Sequence, residues 1–101
     1  MISPTKRGMC VEYEAIILFT KAGFEVFHNA NPDGPADLIV WDGENTYPID
    51  CKKTTKYIKK DGSPGYCYNS RNPHPNVYYL GWNEDGWIWL SEPPEGLREV
   101  I

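Results

Sequence analysis

The chain has 101 residues, a formal net charge of −4 at pH 7 and three cysteines. A chain of this length supports one hydrophobic core, so we predict a single domain over residues 1–101. The chain has neither the roughly 18 consecutive apolar residues that a transmembrane helix needs nor a leader pattern, which argues against a membrane protein and predicts a cytoplasmic one. The odd number of cysteines, without metal-type spacing, agrees with a reducing compartment.

The first predicted element is an amphipathic helix from about Met9 to Ala22, ended by Gly23, with a partly ordered arm before it. At about 100° per residue, one arc of this helix is apolar. Glu12 falls inside that arc, whereas Glu14 lies on the solvated side. A carboxylate on the core side of an amphipathic helix is unusual, so Glu12 is a candidate site residue.

A short strand, Phe24 to His28, is predicted next, and His28 is interpreted as structural. A β-hairpin over residues 37–52 follows the turn-rich loop. If Gly43-Glu44 forms the two-residue loop, the register places Asp37 opposite Asp50, whereas a loop at Asp42-Gly43 would move the register by two and still leave both on one face. Lys52 shares their face because alternate residues of a strand point the same way.

Two carboxylates and an ammonium group on one strand face are costly to bury, so we predict that a divalent cation binds there. Hard oxygen ligands suit Mg²⁺ or Mn²⁺, with Asp37, Asp50 and Glu12 as the metal ligands. Such a cation lowers the pKa of a bound water. Lys52 would orient that water and stabilise the phosphorane, which predicts phosphodiester hydrolysis. Asp33 is the alternative to Asp37, although Asp33-Gly34 is typical of a turn.

These positions resemble the PD-(D/E)xK nuclease superfamily, and their order and spacing are similar to those of archaeal Holliday junction resolvases. The residues that carry the resemblance are Gly8, Glu12, Gly23-Phe24, Asp37 and Asp50-x-Lys52. The resemblance implies an α/β fold with a restriction-endonuclease-like αβββαβ core. It also implies catalytic roles for Glu12, Asp37, Asp50 and Lys52.

Two features depart from the resolvase pattern. The second carboxylate is Asp50, where resolvases usually have Glu. Glycines and prolines between Thr54 and Pro75 break any long helix, so we expect the second helix to be short or replaced by a loop. In this respect the chain also resembles the group I intron-associated homing endonucleases of the same superfamily, in which the motif is followed by a loop-rich stretch and a terminal hairpin.

The negative net charge argues against nucleic-acid binding, but this argument is weakened because the basic residues are clustered in one part of the chain. Five of the ten Lys and Arg residues lie between positions 52 and 60. The candidate nucleic-acid contacts are Lys53, Lys56, Tyr57, Lys59, Lys60 and Arg71. A second hairpin is predicted from strands near Asn76 to Trp82 and Trp87 to Ser91, and the tail from Glu92 is expected to be peripheral.

The leading hypothesis is a Mg²⁺-dependent endodeoxyribonuclease, specifically a compact phage or intron-associated homing-type enzyme that acts on double-stranded DNA. The alternative is a Holliday junction resolvase that acts on branched DNA. A further alternative is a catalytically inactive DNA-binding module of the same fold. A small core, a surplus of aromatic residues and a reaction that cuts two strands predict a homodimer or higher symmetric oligomer.

Overall fold

The computed structural model describes residues 3–31, 34–69 and 73–101. Asp33 and Arg71, which the sequence analysis considered as site residues, lie outside these ranges. In these described ranges, one α-helix is followed by seven strands and a short 3-10 helix. The elements are α1 (Pro4–Lys21), β1 (Glu25–His28), β2 (Leu38–Trp41), β3 (Thr46–Lys53), β4 (Thr55–Ile58), β5 (Pro64–Cys67), β6 (Tyr78–Asn83), β7 (Gly86–Trp89) and the 3-10 helix Glu95–Leu97. Within the described ranges, no helix is apolar enough over a sufficient length to span a membrane.

Five strands form one mixed sheet in the order β1-β2-β3-β6-β7. Only β3 and β6 are parallel, and the other neighbours are antiparallel. The connection between β3 and β6 contains the separate two-stranded sheet β4–β5. Helix α1 packs on β1, β2 and β3, so the helix and the mixed sheet give the α/β architecture that the sequence predicts.

Helix α1 begins at Pro4, and the prediction of a start near Met9 after a partly ordered arm is wrong. Ser3 is the N-cap, and its side-chain oxygen accepts the Lys6 N–H at 3.3 Å. A serine cap followed by proline at the first helical position is a strong start signal, because proline has no N–H to leave unpaired. The helix ends at Lys21 with Ala22 as the C-cap, and Gly23, the predicted terminating residue, follows with a φ of 97° that suits glycine.

The β2–β3 hairpin has the predicted register, with Leu38 paired to Ile49. The turn closes through the Asp42 N–H, which donates to the Asn45 carbonyl at 3.1 Å. The Asp42 carboxylate also accepts the N–H groups of Glu44 and Asn45, at 2.8 and 2.6 Å. Gly43 has a φ of 102°, which favours glycine at this position of the turn. Gly43 and Glu44 are therefore the central loop residues, as predicted.

The hydrophobic core lies between α1 and one face of the sheet. Its fully buried members are Ala15, Phe19, Leu38, Val40, Ile49, Leu80 and Leu97. Leu97 belongs to the short 3-10 helix, so the prediction that the tail from Glu92 is peripheral is wrong. The tail packs against the rest of the domain because Leu97 is part of the core and Val100 packs against the core.

The β4–β5 hairpin occupies the stretch where a loop was predicted to replace the second helix. Residues Thr55, Tyr57 and Ile58 favour an extended strand because they are β-branched or aromatic. The Tyr57 ring covers Gly65, where an added Cβ would lie 2.5 Å from Tyr57 Cζ. Prolines and glycines thus exclude a helix here but allow a short two-stranded hairpin. The prediction that a loop without regular structure occupies this stretch is therefore wrong.

Buried Thr54 anchors this hairpin to the mixed sheet. The Thr54 N–H donates to the Trp82 carbonyl at 2.8 Å. The Asn83 side-chain amide donates to the Thr54 hydroxyl at 3.3 Å. Because only Thr54 separates β3 from β4, the hairpin leaves the sheet directly after Lys52 and Lys53.

Candidate active site

Asp37 and Asp50 lie side by side at the base of the β2–β3 hairpin. Asp37 directly precedes β2, and its N–H donates to the Ile49 carbonyl at 2.8 Å. One oxygen of the Asp37 carboxylate accepts the Cys51 N–H, also at 2.8 Å. The Asp50 carboxyl group lies within hydrogen-bonding reach of Asp37. The predicted pairing of these two aspartates is therefore present in the structure.

Burial raises the pKa of Asp50 to about 7, and the hydrogen bond and negative charge of Asp37 act in the same direction. The ammonium group of Lys52 opposes this rise in the Asp50 pKa but does not outweigh it. Two adjacent carboxylates cannot both ionise cheaply, so Asp50, with its raised pKa, keeps its proton up to near-neutral pH.

Lys52 completes the cluster on the same face of β3. Its Nζ lies 3.2 Å from an Asp50 carboxylate oxygen, and its side chain is 26% exposed. Asp50 and Lys52 alternate along β3 with Ile49 and Cys51, which pack on the core side. The cluster therefore lies on the face of the sheet that α1 does not cover.

Glu12 does not join this pair. Its Oε1 lies 3.1 Å from His28 Nε2, and the Glu12 side chain is 24% exposed. Asp50 is on the opposite face of the sheet from α1, which explains why the helix carboxylate reaches the end of β1 instead. The sequence analysis interpreted His28 as structural and missed this contact. The position of His28 at the end of β1, next to the loop that leads to Asp37, was the feature of the sequence that could have indicated this contact.

The negative charge of Glu12 acts on Cys51 of β3. Burial raises the pKa of the Cys51 thiol, and the negative charges of Asp37, Asp50 and Glu12 raise it further. Glu14, the other acidic residue considered on α1, is exposed.

The two carboxylates of the site, Asp37 and Asp50, are suitable ligands for a divalent cation. Across residues 3–31, 34–69 and 73–101, no three His, Cys, Asp or Glu side chains converge on one metal position. Mg²⁺ does not require such a cage, because it is commonly held by one or two carboxylates, with waters and phosphate oxygens completing its shell. Asp37 and Asp50 match this requirement and would hold the cation, whose positive charge would favour the ionised form of Asp50.

The candidate nucleic-acid contacts lie on the β4–β5 hairpin or at its base. Lys53 ends β3, and Lys59 and Lys60 lie in the exposed turn between β4 and β5. Tyr57 is 49% exposed. Lys56 Nζ lies 3.5 Å from a carboxylate oxygen of Asp85, across an exposed contact. The basic side chains that the sequence groups together thus extend outward from the carboxylate cluster.

A cleft of about 360 Å³ separates the base of this hairpin from the turn between β6 and β7. Lys53 and Lys56 line one side, and Glu84 and Asp85 line the other. Opposite charges across the cleft hold the hairpin only weakly, because exposed ion pairs contribute little to stability.

Comparison with known structures identifies the fold. The chain is similar to the structure of a bacterial homing endonuclease, I-Ssp6803I, with a TM-score of 0.65 and 18% sequence identity. The alignment covers 94% of this chain and 80% of that protein. No protein-family model matches the sequence, and no curated protein matches it. The predicted fold class is confirmed: the chain has an α/β fold with one helix packed on a mixed sheet, and this fold matches that of the restriction-endonuclease-like homing endonuclease.

Proposed function

We propose that this protein is a Mg²⁺-dependent endodeoxyribonuclease of the homing type. The observation that carries the proposal is the Asp37–Asp50 pair with Lys52 Nζ 3.2 Å from Asp50. This cluster occurs on a fold shared with a homing endonuclease, and a basic hairpin lies beside it. Together these features support hydrolysis of DNA phosphodiester bonds.

Asp37 and Asp50 would hold the cation, which when bound supplies positive charge and lowers the pKa of a coordinated water. The Cys51 N–H fixes the orientation of the Asp37 carboxylate through its 2.8 Å hydrogen bond. Asp50 holds the Lys52 ammonium group close to the pair. Lys52 would then orient the attacking water and donate a hydrogen bond to the phosphate oxygen on which charge develops.

The β4–β5 hairpin favours the homing-type function over junction resolution. A two-stranded ribbon fits the major groove of duplex DNA, where base edges can be read. Lys59 and Lys60 at its turn would contact phosphates, and Tyr57 presents a half-exposed ring beside them. A resolvase requires recognition of branched shape rather than such a ribbon, so it remains the second candidate.

Replacing both Lys59 and Lys60 with alanine should weaken DNA binding and reduce its salt dependence. If each lysine contacts one phosphate, the slope of log affinity against log salt should become shallower by about two. Binding of a fluorescent duplex in Ca²⁺ at several salt concentrations measures this slope. Lys21→Ala, which removes a charge from the distant end of α1, is the control. An unchanged slope in the double variant would exclude the hairpin as a phosphate contact.

We also propose that the enzyme acts as a homodimer or higher symmetric oligomer, because each chain carries one Asp37–Asp50 site and a duplex has two strands. Multi-angle light scattering at micromolar concentration should give at least twice the chain mass of 11.6 kDa. A uniform monomer in both the absence and presence of DNA would contradict this assembly.

The function itself is tested by incubating the protein with plasmid DNA and with a synthetic four-way junction, each in Mg²⁺ and in EDTA. We expect Mg²⁺-dependent cutting of the plasmid at discrete sites, and no cutting by Asp50→Ala. Metal-dependent cutting of the junction alone would instead identify a resolvase. DNA binding without cutting of either substrate, or of a library of random duplex sequences, would identify an inactive binding module.

A further inference from the structure

Strand β1 forms one edge of the mixed sheet, and among the described residues no strand pairs with its outer side. The N–H of Asn29 donates to the Asp37 carbonyl at 2.8 Å, which fixes the pattern of the β1–β2 ladder. In an antiparallel ladder, alternate residues direct their backbone groups to the same neighbour. Phe27 therefore bonds to β2, whereas Val26 and His28 direct their N–H and carbonyl groups outward. Such an edge is a template for pairing with a further strand.

The side chains of β1 are also unusually exposed. Three of its four residues are exposed, whereas all four residues of β7, at the other edge of the sheet, are partly buried. Phe27 is 52% exposed. It alternates with Val26, which packs on the core, so Phe27 points to the face of the sheet that α1 does not cover. Strand β1 contains neither lysine nor proline, which commonly protect edge strands from pairing.

Three exposed apolar residues of α1 lie next to this edge. Met9, Tyr13 and Ile17 are 46%, 49% and 52% exposed and recur every fourth residue, so they form one stripe along the helix. The Tyr13 ring contacts the His28 ring, with centroids 5.5 Å apart, which places the stripe on the β1 side of α1. Phe27, the outer backbone of β1 and this stripe together form a patch, which we call the β1 surface.

We propose that the β1 surface binds a second copy of this chain, so that the two β1 strands pair antiparallel about a two-fold axis and join the two mixed sheets into one. This interface rests on the symmetric assembly in the proposed function and specifies the surface that forms it. A second copy fits because an antiparallel strand edge is complementary to itself, as an interface between identical chains must be.

The hydrogen-bonding groups of β1 select the register. When Val26 pairs with His28 of the partner subunit, the reciprocal pairs use all the outward backbone groups of β1 and give four hydrogen bonds. The two copies of Phe27 then face each other at the two-fold axis. A register centred on Val26 would need the N–H of Phe24, which already donates to the Phe19 carbonyl at 3.0 Å.

This arrangement also places the two candidate active sites together. A two-fold axis normal to the sheet keeps the same face of the sheet on the same side in both copies. The Asp50 and Lys52 side chains of both subunits therefore lie on one side of the joined sheet, which is the side that α1 does not cover. Both sites could then contact a single duplex, whose two strands are themselves related by two-fold symmetry.

The β1 surface is large enough to contribute to a stable dimer, which buries about 800 Å² on each partner. Four large apolar side chains, each about half exposed, offer roughly 400 Å² of this area. The strand backbone and the polar side chains around it would supply the remainder. The apolar centre also agrees with the depletion of charged residues at the centre of protein interfaces.

The simpler explanation is that these residues are ordinary exposed apolar side chains on a short edge strand. Ile58 of β4, which is 68% exposed, is a residue of this kind. The β1 surface differs from Ile58 because its apolar residues come from two elements and lie beside outward-facing backbone groups. Loss of an isolated exposed side chain leaves the association state unchanged, so the mass of each variant separates the two explanations.

Cross-linking through Phe27→Cys tests the register, in a background in which the exposed Cys10 and Cys67 are replaced with serine. Facing residues of a non-hydrogen-bonded pair have Cα atoms about 4.5 Å apart, which is within disulfide range. Oxidised glutathione should therefore convert most of this variant to a disulfide-linked dimer on a non-reducing gel. Glu25→Cys, on the same face of β1, is the matched control. It would lie about 13 Å from its counterpart and should stay uncross-linked.

Sedimentation equilibrium without DNA or metal tests the surface. The wild type should have twice the chain mass of 11.6 kDa at micromolar concentration. Phe27→Lys should weaken the dimer about 100-fold or more, because two ammonium groups would face each other at the axis. Met9→Lys should weaken it about 10-fold, and it tests the helix stripe independently if Phe27→Lys does not fold. Ile58→Lys is the control and should leave the mass unchanged.

Three outcomes would overturn the inference. These are a wild-type monomer, which would leave the β1 surface to a different partner, a dimer that survives folded Phe27→Lys or Met9→Lys, and equal cross-linking of Glu25→Cys and Phe27→Cys. Because none of these measurements uses DNA or metal, the inference and the nuclease function fail separately. A dimer with these properties that cleaves no DNA would contradict only the nuclease function. Cleavage by a protein that dimerises through another surface would contradict only the interface.

Discussion

Replacing Lys52 with alanine is expected to reduce the rate of DNA cleavage by about 100-fold or more, with little change in DNA affinity. The Lys52 ammonium group lies 3.2 Å from Asp50, and in the proposed mechanism it would stabilise the charge that develops on the scissile phosphate. Its loss leaves that charge without a fixed donor. It also removes the one interaction that lowers the pKa of Asp50, so the carboxylate pair keeps its proton to higher pH.

The measurement compares single-turnover cleavage rates at saturating Mg²⁺ with duplex affinity determined in Ca²⁺. Lys21→Ala is the control, because it removes the same side chain from an exposed position at the end of α1. Raising the pH should restore only part of the rate in Lys52→Ala, because alkaline conditions ionise Asp50 without replacing the missing donor. An unchanged cleavage rate in Lys52→Ala would show that the proposed role of this residue is wrong.

The second large effect is on the stability of the metal-free protein, which should fall as the pH rises from about 4 to about 7. Folding raises the pKa of Asp50 from its ordinary value of 3.8 to about 7. Between these values the folded protein keeps a proton that the unfolded chain has released. The free energy of unfolding must then decrease with pH, by about 1.4 kcal/mol per unit at most. Because the site is partly solvated, we expect a total loss on the order of 2 kcal/mol.

Urea unfolding at several pH values in EDTA measures this loss, and Asp50→Asn provides the comparison. The variant cannot ionise at position 50, so the difference between the two proteins isolates the contribution of Asp50. Hydrogen bonds from backbone N–H groups lower the pKa of Asp42, and those from Ser63 lower the pKa of Asp61. The contributions of Asp42 and Asp61 to stability change below about pH 4, where stability increases with pH. They therefore do not affect the pH range from about 4 to about 7 in which Asp50 acts.

Mg²⁺ should stabilise the wild-type protein more at pH 8 than at pH 5, because the ionised pair binds the cation and the protonated pair does not. The same Mg²⁺ concentration should have little effect on Asp50→Asn at either pH. A wild-type stability that is flat between pH 4 and pH 7 would contradict the raised pKa of Asp50. Equal stabilisation by Mg²⁺ at both pH values would place the cation away from the Asp37–Asp50 pair.

The part of the site formed by Asp37, Asp50 and Lys52 could be predicted because its geometry is local. A two-residue turn at Gly43-Glu44 fixes the register of the β2–β3 hairpin, and the alternation of side chains then sets which residues share a face. The order of these residues along the chain, together with Glu12, was also sufficient to predict a restriction-endonuclease-like α/β fold, which the structural comparison confirms.

The sequence by itself thus determined the fold class and the strand positions of the central cluster, because turn geometry and periodicity act over a few residues. The tertiary structure decided which distant groups meet. It paired Glu12 with His28, sixteen positions away, and it buried Leu97 of the tail in the core. It also supported the β4–β5 ribbon through Thr54 and Trp82, where local composition indicated only a loop. These outcomes depend on packing between segments far apart in the chain, to which neither periodicity nor turn chemistry is sensitive.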